Sequence, residues 1–380
     1  MHIAFLTPEY PHPKVIHAAG IGTSIKNLAD ALTRKGEKVT MFVYGQKNDE
    51  IIVEAGLEIH LIKQKNYKFG TWYFYNKHIQ NYINKVIISK KIDIIEAPDW
   101  TGFSAIMNFR IPLVIRFHGS DAYFCHLENR KQKFKNKFFE KLAISKANAF
   151  IAPTKFAGDL SKKLFHIKNK PIKTINYGLE LSKFHNLNPE KYEKETILYL
   201  GSIIRKKGIF EIPKIFSIIS KQFPNAKLIL IGSDTFDLQT KSKSTWKLLE
   251  TFFDNKNVNY LGKIPYIEVQ QYIKNAHVCI FPTFAETFGM VTIESMALSK
   301  PVVNSNFGWS NELIIDGESG YLVHPKDHQK FADRILDIFS NNDLCSQIGE
   351  KARKRVEEVF DIDKIVNQNI DFYKSIIEKK

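Results

Sequence analysis

The chain has 380 residues, of which 44% are hydrophobic and 25% are charged, and its formal net charge is +15. This length predicts two domains, because single hydrophobic cores rarely grow beyond about 250–300 residues. The three cysteines are far apart in the sequence, which argues against a disulfide framework or a zinc site and indicates a reduced, cytoplasmic protein. The stretch "MHIAFLTPEY" lacks the pattern of a signal peptide, and no run of about 18 apolar residues predicts a membrane-spanning helix.

Ten short apolar runs predict buried strands. In the first half they are "IAFLT", "VTMFVY", "DIIEA", "PLVIRF" and "AFIAPT", and in the second half "TILYLG", "KLILIG", "VNYLG", "VCIFPT" and "PVVNS". They lack two-residue alternation, which is typical of parallel strands covered by helices on both faces. Between the strands, "GIGTSIKNLADALTRKG" predicts a helix with an apolar stripe of Ile25, Leu28 and Leu32 that ends at Gly36. Two such series predict two doubly wound α/β domains, and the polar stretch 181–195 between them is the predicted linker.

The positive charge is concentrated in the first half. Residues 1–180 carry 28 basic and 15 acidic side chains, an excess of 13, whereas residues 181–380 carry 27 and 25, an excess of 2. This asymmetry indicates an anionic ligand or surface for the first domain, and a lysine-rich composition without such a partner is the alternative.

Segment 128–146 contributes much of this charge. It predicts a helix with Arg130, Lys133, Lys137 and Lys141 along one stripe and aromatic and aliphatic side chains along the next. That pattern fits an interfacial helix on anionic lipid. A core-packed helix with a solvated basic face fits it equally well.

Ligands of such sheets bind at the carboxyl ends of the strands, so the turns that follow the strands are candidate sites. The first turn ends in Gly20-Ile21-Gly22, which could let the backbone approach a phosphate or simply form a turn. The dinucleotide pattern G-x-G-x-x-G is absent because residue 25 is Ile. A second turn contains His118 and Asp121, and this histidine could donate a hydrogen bond to a substrate or be structural.

The third and fourth turns carry charged groups. After the strand "TILYLG" come Arg205, Lys206 and Lys207, which could bind phosphate or form a solvated loop. In "FPTFAETFGMVTIESMA", Glu286 precedes Gly289 and Glu294 lies in the helix that follows.

At that helix start, the backbone N–H groups of Phe288, Gly289 and Met290 have no intrahelical acceptor, so they favour a diphosphate. One carboxylate on each side could bind a ribose or a sugar.

These motifs resemble the GT-B retaining glycosyltransferases of the "glycosyl transferases group 1" family, whose mark is a Glu-x7-Glu pair. The resemblance extends over nearly the whole chain, through "HGSD", "GSIIRKKG", "LILIGSD", "AHVCIFPTFAETFGMVTIESMALSKPVV" and "NELIIDGESGYLV". It implies two Rossmann-like domains that face each other across a cleft. We therefore predict an acceptor-binding domain over 1–180, a linker over 181–195 and a nucleotide-sugar-binding domain over 196–360. A helix over 361–380 should cross back to the first domain.

The resemblance also assigns roles. It implies that Glu294 binds the ribose, Glu286 the transferred sugar and Lys207 the diphosphate, and that His118 contacts the donor sugar or departing group. The family arginine is replaced by Ser202, and Arg205 is the candidate substitute. Two further departures are Ala19-Gly20-Ile21-Gly22 in the first loop and Trp309-Ser310 in "FGWSNEL".

The function expected from the resemblance is retaining transfer from a UDP- or GDP-linked sugar without a metal ion or other cofactor. The acceptor would be a saccharide or a lipid-linked molecule in envelope polysaccharide or glycolipid assembly, at the inner face of the membrane. A non-hydrolysing sugar epimerase of the same fold and a basic nucleic-acid-binding protein are the alternatives. No nucleic-acid-binding motif appears in the sequence, and a dehydrogenase would need the missing glycine pattern.

Overall fold

The computed structural model describes residues 1–18, 20–253 and 257–379. The chain forms two compact units, Met1–Leu179 together with Ile362–Lys380, and Glu180–Asp361. Each unit has a largely parallel sheet with helices on its faces, so the predicted α/β class with two doubly wound domains is confirmed. Ala19 of the predicted first glycine loop lies outside the described residues.

The first unit contains a sheet of eight described strands in the order β3-β4-β2-β1-β5-β6-β7-β8. The strands are β1 (His2–Thr7), β2 (Lys38–Gln46), β3 (Glu50–Glu54), β4 (Leu57–Lys63), β5 (Ile94–Pro98), β6 (Leu113–Arg116), β7 (Ala149–Ala152) and β8 (Ile172–Thr174). Five of these coincide with predicted runs, whereas β3, β4 and β8 were not predicted. Strand β3 pairs antiparallel with β4, so the expectation of a fully parallel sheet is wrong at this edge.

The second unit contains a sheet of six described strands in the order β11-β10-β9-β12-β13-β14. The strands are β9 (Thr196–Leu200), β10 (Lys227–Ile231), β11 (Val258–Tyr260), β12 (Val278–Phe281), β13 (Val302–Ser305) and β14 (Tyr321–Val323). All pairings in this sheet are parallel. Only β14 was not predicted. Because β9 and β12 are neighbours at the centre of the sheet, the turns that follow them lie side by side.

The helices cover both sheets. They are α1 (Gly20–Arg34), α2 (Thr71–Lys90), α3 (Asp121–Leu127), α4 (Phe134–Lys146), α5 (Lys155–Phe165), α6 (Ile212–Gln222), α7 (Thr245–Leu249), α8 (Tyr266–Asn275), α9 (Met290–Ala297), α10 (His328–Ser340), α11 (Asn342–Val359) and α12 (Ile362–Ile377). The predicted apolar stripe of α1 is buried in the core of the first unit. No helix among the described residues has the length and apolar content needed to cross a membrane.

Helix α4 is shorter than predicted. It begins at Phe134, so residues 128–133 do not extend the stripe of basic side chains. Arg130 instead forms ion pairs with Glu128 and Asp121. The backbone of Asn129 is left-handed, with φ of 51°, which is incompatible with a continuous helix. Within α4 the buried side chains are Glu140, Ala143 and Ile144, whereas Phe134 and Phe138 are exposed.

Helix α12 is part of the first unit and supports the strand that leads to His118. The guanidinium of Arg116, at the end of β6, binds both carboxylate oxygens of Glu96 at 2.7 and 3.0 Å. Two side chains of α12 complete this buried cluster: Asn369 accepts from Arg116 at 2.6 Å, and the Tyr373 hydroxyl donates to Glu96 at 2.6 Å. A buried ion pair requires such additional hydrogen bonds to offset its desolvation.

Candidate active site

The turn after β9 is packed directly onto the start of the loop after β12. Arg205–Lys207 forms a single 3-10 turn, and Gly208 follows with φ of 69°. A Cβ atom at Gly208 would overlap the carbonyl of Pro282, so only glycine fits there. The carbonyl of Lys206 accepts the N–H of Phe284 at 2.8 Å. These contacts fix the basic turn against the segment that carries Glu286.

Lys207 and Glu286, which are two of the predicted site residues, form an ion pair. The second oxygen of Glu286 accepts the N–H of Thr287 at 2.9 Å. Burial raises the pKa of Glu286, but the charge and hydrogen bond of Lys207, the charge of Lys206 and the Thr287 N–H outweigh it, and the pKa is lowered. Glu286 is therefore a carboxylate at neutral pH, beside a cation that could transfer to a diphosphate.

Helix α9 begins at the predicted position. Gly289 is its N-cap with φ of 97°, and Met290 is its first residue. Phe288, Gly289 and Met290 are the three residues predicted to bind phosphate through their backbone N–H groups. Of these, Phe288 also has a buried side chain that packs in the interior. A Cβ at Gly289 would lie 3.2 Å from Cζ3 of Trp309, which is itself buried. Trp309, one of the residues at which this sequence departs from the family pattern, therefore packs on the helix start.

Glu294 lies within α9 and is only 4% exposed. One of its oxygens accepts the hydroxyl of Tyr266 at 2.7 Å. Burial raises the pKa of Glu294, and the hydrogen bond from Tyr266 offsets part of that effect. The described structure shows no ion pair of Glu294. The two predicted carboxylates thus have opposite pKa shifts, because only Glu286 has a lysine beside it.

Arg205 has a different partner from Lys207. Its guanidinium binds both oxygens of Asp237, at 2.6 and 3.0 Å, and lies 4.3 Å from the centre of the Phe210 ring. Asp237 is 2% exposed, and the hydrogen bond from Arg205 is the largest of the effects that lower its pKa. The contact of Arg205 with a diphosphate stays a prediction. In such a contact the diphosphate and Asp237 would have to share the guanidinium of Arg205.

The first unit holds the remaining predicted residues. Nδ1 of His118 lies 2.6 Å from the Tyr177 hydroxyl, and the two rings are stacked with an interplanar angle of 15°. The backbone N–H of His118 donates to Asp99 at 3.0 Å. Burial and the charge of Arg116 lower the pKa of His118 to about 3, so its ring is neutral at physiological pH.

Asp121 and the two glycines have local partners. The carboxylate of Asp121 accepts from Arg130 and Asn136, and its N–H donates to the buried Glu140 at 2.7 Å. A Cβ at Gly22 would lie 3.1 Å from Cα of Tyr10, so this glycine permits close packing within the first unit. A Cβ at Gly20 would meet no atom within 4 Å.

Sequence reasoning missed four residues that contact predicted site residues. Tyr177 and Asp99 contact His118 in the first unit, and Asp237 and Tyr266 contact Arg205 and Glu294 in the second unit. Only Asp99 had a signal, because it directly follows the buried strand β5. Within residues 1–18, 20–253 and 257–379, no three His, Cys, Asp or Glu side chains are placed where they could share a metal ion.

Comparison with known proteins identifies the family. A model described as "Glycosyltransferase Family 4" matches residues 18–183, and one described as "Glycosyl transferases group 1" matches residues 182–355. The chain belongs to the glycosyl transferases group 1 family. A Staphylococcus aureus relative, the capsular polysaccharide biosynthesis glycosyltransferase CapM, is 32% identical over 191 residues, 48% of this chain and 49% of that protein. The match thus spans about half the length of the relative.

Solved structures show the fold of this group 1 glycosyltransferase. Sucrose-phosphate synthase from Thermosynechococcus elongatus matches with a TM-score of 0.83 at 22% identity, over 100% of both chains. Anabaena HepE in complex with UDP-glucose matches with a TM-score of 0.74 at 18% identity, over 99% of this chain and 100% of that one. The GT-B fold expected from the sequence is therefore confirmed.

Proposed function

We propose that this group 1 glycosyltransferase transfers a sugar, with retention, from a UDP- or GDP-linked donor to a saccharide or lipid-linked acceptor. The observation that carries the proposal is the ion pair of Lys207 and Glu286 beside the start of α9. Two complementary charges placed at a helix N-terminus suit a ligand that joins an anionic diphosphate to a hydroxylated sugar. The complex of the structural neighbour HepE with UDP-glucose supports this donor class.

In this proposal each residue has one task. The diphosphate binds the N–H groups at Gly289 and Met290 and takes Lys207 as its cation. Glu286, released from Lys207, accepts hydrogen bonds from the sugar, and Glu294 exchanges the Tyr266 hydroxyl for the ribose hydroxyls. As the bond from the sugar to phosphate lengthens, negative charge grows on the phosphate, where the lysine and helix start stabilise it. No metal ion is required for this charge stabilisation.

The stereochemistry and acceptor belong to the same proposal. The leaving phosphate stays on the face of the sugar that the acceptor approaches and takes the proton of the acceptor hydroxyl, which gives retention. We infer an acceptor in envelope polysaccharide or glycolipid assembly, and the relative CapM, a capsular polysaccharide biosynthesis glycosyltransferase, supports this inference. The first domain would bind it, with Gly20, Gly22 and Asp121 at its turns.

We test the donor assignment by thermal shift with UDP, GDP, their sugar conjugates and NAD, in the presence of EDTA. A ligand that binds the native state raises Tm, so UDP or GDP should do so without added metal. Stabilisation by NAD alone, or only after Mn²⁺ replaces EDTA, would overturn the assignment.

We also propose that the enzyme is cytoplasmic and contacts an anionic membrane through residues 128–146. In this segment Phe134 is 82% exposed, Phe138 is also exposed, and Lys137 and Lys141 lie on the same helix. Aromatic rings and lysines on one helix suit the headgroup region, where each basic residue contributes about 1 kcal/mol.

Vesicle flotation tests this surface. Vesicles of equal parts phosphatidylglycerol and phosphatidylcholine should bind the protein, and pure phosphatidylcholine vesicles should not. Lys137→Glu should weaken binding roughly five-fold or more. The matched control is Lys351→Glu, an exposed lysine of α11 with the same change in net charge. Equal effects of the two variants would show that net charge, and not this helix, governs binding.

A further inference from the structure

His118 has a side-chain partner that the sequence did not indicate. The hydroxyl of Tyr177 lies 2.6 Å from Nδ1 of His118, and the rings stack with their centres 5.6 Å apart. Tyr177 is itself fixed by its neighbours in the chain. Asn176 donates to the carbonyl of Pro153 at 2.7 Å, and Gly178 packs so closely on Ile362 that a Cβ would lie 2.7 Å from Cα of Ile362.

The direction of the hydrogen bond follows from its chemistry. A phenol is a better donor than a neutral imidazole N–H, and an imidazole nitrogen lone pair is a better acceptor than a phenol oxygen. Bonds donated by O–H are also shorter than those donated by N–H, with typical distances near 2.7–2.8 Å against 2.9–3.0 Å. The short distance therefore indicates that Tyr177 donates to Nδ1. The proton of the neutral ring is then on Nε2.

We propose that Tyr177 is a positioning residue that holds His118 in the Nε2–H tautomer, so that a neutral imidazole donates a hydrogen bond to the transferred sugar or the departing phosphate. This inference rests on the proposed function and on the role that the family resemblance implies for His118, which is contact with the donor sugar or the departing group.

Two further contacts agree with this role. Asp99 accepts the backbone N–H of His118, so the backbone and the ring are each fixed by a separate partner. The pKa of His118 is lowered to about 3 by burial and by Arg116, so the ring carries no second proton at neutral pH. His118 thus stabilises negative charge through a hydrogen bond and does not transfer its proton.

The experiment compares Tyr177→Phe with a matched control. Tyr177→Phe keeps the stacked ring and removes the hydroxyl. The control is Tyr82→Phe, because the Tyr82 hydroxyl lies at the same distance, 2.6 Å, from Nδ1 of another histidine, His60. We expect Tyr177→Phe to lower kcat roughly ten-fold with little change in the KM of the donor. Tyr82→Phe should leave kcat unchanged.

A ¹H–¹⁵N spectrum recorded through two-bond couplings shows which ring nitrogen of His118 carries the proton. A purely structural role of Tyr177 would leave this signal unchanged. In the parent protein His118 should be protonated at Nε2 alone, and in Tyr177→Phe it should become a mixture of tautomers. Protonation at Nδ1 in the parent protein would overturn the inference even if the variant failed to fold. Unchanged kcat together with an unchanged tautomer in Tyr177→Phe would also overturn it.

His118→Ala separates this inference from the proposed function. Full turnover by His118→Ala would remove His118 from the proposed mechanism altogether. If His118→Ala lost activity while Tyr177→Phe kept it, His118 would retain its proposed role and only the positioning by Tyr177 would be wrong.

Discussion

Glu286 and Glu294 are eight residues apart, yet their surroundings move their pKa values in opposite directions. Glu294 is buried and Glu286 is half-buried, and burial alone would raise the pKa of both carboxyl groups. Lys207 reverses the effect at Glu286, whereas Glu294 receives only the neutral hydroxyl of Tyr266. In the proposed function, the carboxylate that binds the sugar is thus paired with a cation, and the carboxylate that binds the ribose is paired with a neutral donor.

The first prediction separates these two carboxylates. Glu294→Gln should weaken donor and nucleoside diphosphate by a similar factor, because both contain the ribose. Glu286→Gln should chiefly lower kcat, because the sugar changes during the reaction and an interaction that is stronger in the transition state appears in kcat. An interaction that is equally strong in the ground state and the transition state appears in KM instead. The loss of affinity in Glu294→Gln and the loss of kcat in Glu286→Gln should each be about 10- to 100-fold, as expected for a charged hydrogen bond of roughly 1.5–3 kcal/mol.

Calorimetric titration with UDP or GDP and steady-state kinetics check this prediction. Both variants must first melt close to the parent protein, since misfolding would mimic either effect. Full turnover by Glu286→Gln together with normal nucleotide affinity of Glu294→Gln would contradict the paired roles.

Arg205 is the subject of a second prediction. If it replaces the family arginine, Arg205→Ala should weaken a nucleoside diphosphate more than the nucleoside, because only the former offers phosphate oxygens. Asp237→Asn is the complementary variant, since it removes the competing carboxylate and should strengthen diphosphate binding. Titrations with both ligands measure these effects. Equal losses for the two ligands in Arg205→Ala would show that Arg205 serves only its ion pair with Asp237.

A third prediction concerns the pH dependence of stability through Asp99. Burial and the charge of Glu140 raise its pKa from 3.8 to about 8, although the N–H groups of His118 and Gly119 oppose this. Between these two pKa values the native state holds a proton that the unfolded state has lost. Stability is therefore highest below the unfolded pKa and falls with rising pH by up to about 1.4 kcal/mol per unit.

Asp99→Asn should remove this pH dependence, because asparagine keeps an oxygen for the His118 N–H but carries no charge. Its Tm advantage over the parent should grow from about pH 5 to about pH 8, and parallel thermal melts measure it. An equal offset at both pH values would contradict the assigned titration.

The predictability of the site depended on how close its residues are in the sequence. The strand, glycine and helix around Gly289 are contiguous, so local chemistry was sufficient to place α9. Tyr177 is 59 positions from His118 and Asp237 is 32 from Arg205, so only the tertiary structure shows these pairs. The sequence shows charged residues near the end of a strand, but it does not show which lysine or arginine already forms an ion pair with a carboxylate.

At the scale of elements, the turn from β9 towards α6 gives a fourth prediction. Gly208→Ala should lower Tm strongly and disturb nucleotide binding, because its Cβ would overlap Pro282 and displace Lys207. Gly262→Ala is a matched control: its φ of 68° is nearly that of Gly208 at 69°, but a Cβ there meets no atom within 4 Å. The backbone strain is therefore similar in both variants, and differential scanning calorimetry isolates the steric effect. Similar losses of Tm in the two variants would contradict it.

The sequence predicted the central strands better than those at the edges. Strand β1 is buried along its whole length and therefore reads as a continuous apolar run. Strand β3 is mostly exposed and β8 has no fully buried residue, so neither carries that signal. The start of α4 was missed for a different reason, because ion pairs and a left-handed residue, both invisible to periodicity, determine the conformation of residues 128–133.

At the scale of the whole molecule, the second unit is one continuous segment and the first unit is not. The fifth prediction is that a fragment of residues 180–361 folds alone, whereas a fragment of residues 1–179 does not. The latter lacks α12, whose Asn369 and Tyr373 bind the buried Arg116 and Glu96. Leaving a buried ion pair without these partners costs several kcal/mol, a large part of the stability of a typical domain.

Circular dichroism and cooperative melting of the two fragments provide the measurement. Adding a synthetic peptide of residues 362–379 should restore cooperative unfolding to the first fragment. Native-like cooperative melting of residues 1–179 alone would show that α12 is dispensable.

The discontinuous first unit also has a consequence for synthesis on the ribosome. Residues 1–179 are made first, but their sheet lacks its last supporting helix until a further 182 residues, 180–361, have been translated. At about 5–20 residues per second, this wait is roughly 10–40 s, far longer than domain folding itself takes. The second unit is itself being translated during that time, and its last helix, α11, is made immediately before α12. Both units can therefore complete their cores only at the end of translation and at nearly the same time, although the first residues of the first unit are made long before.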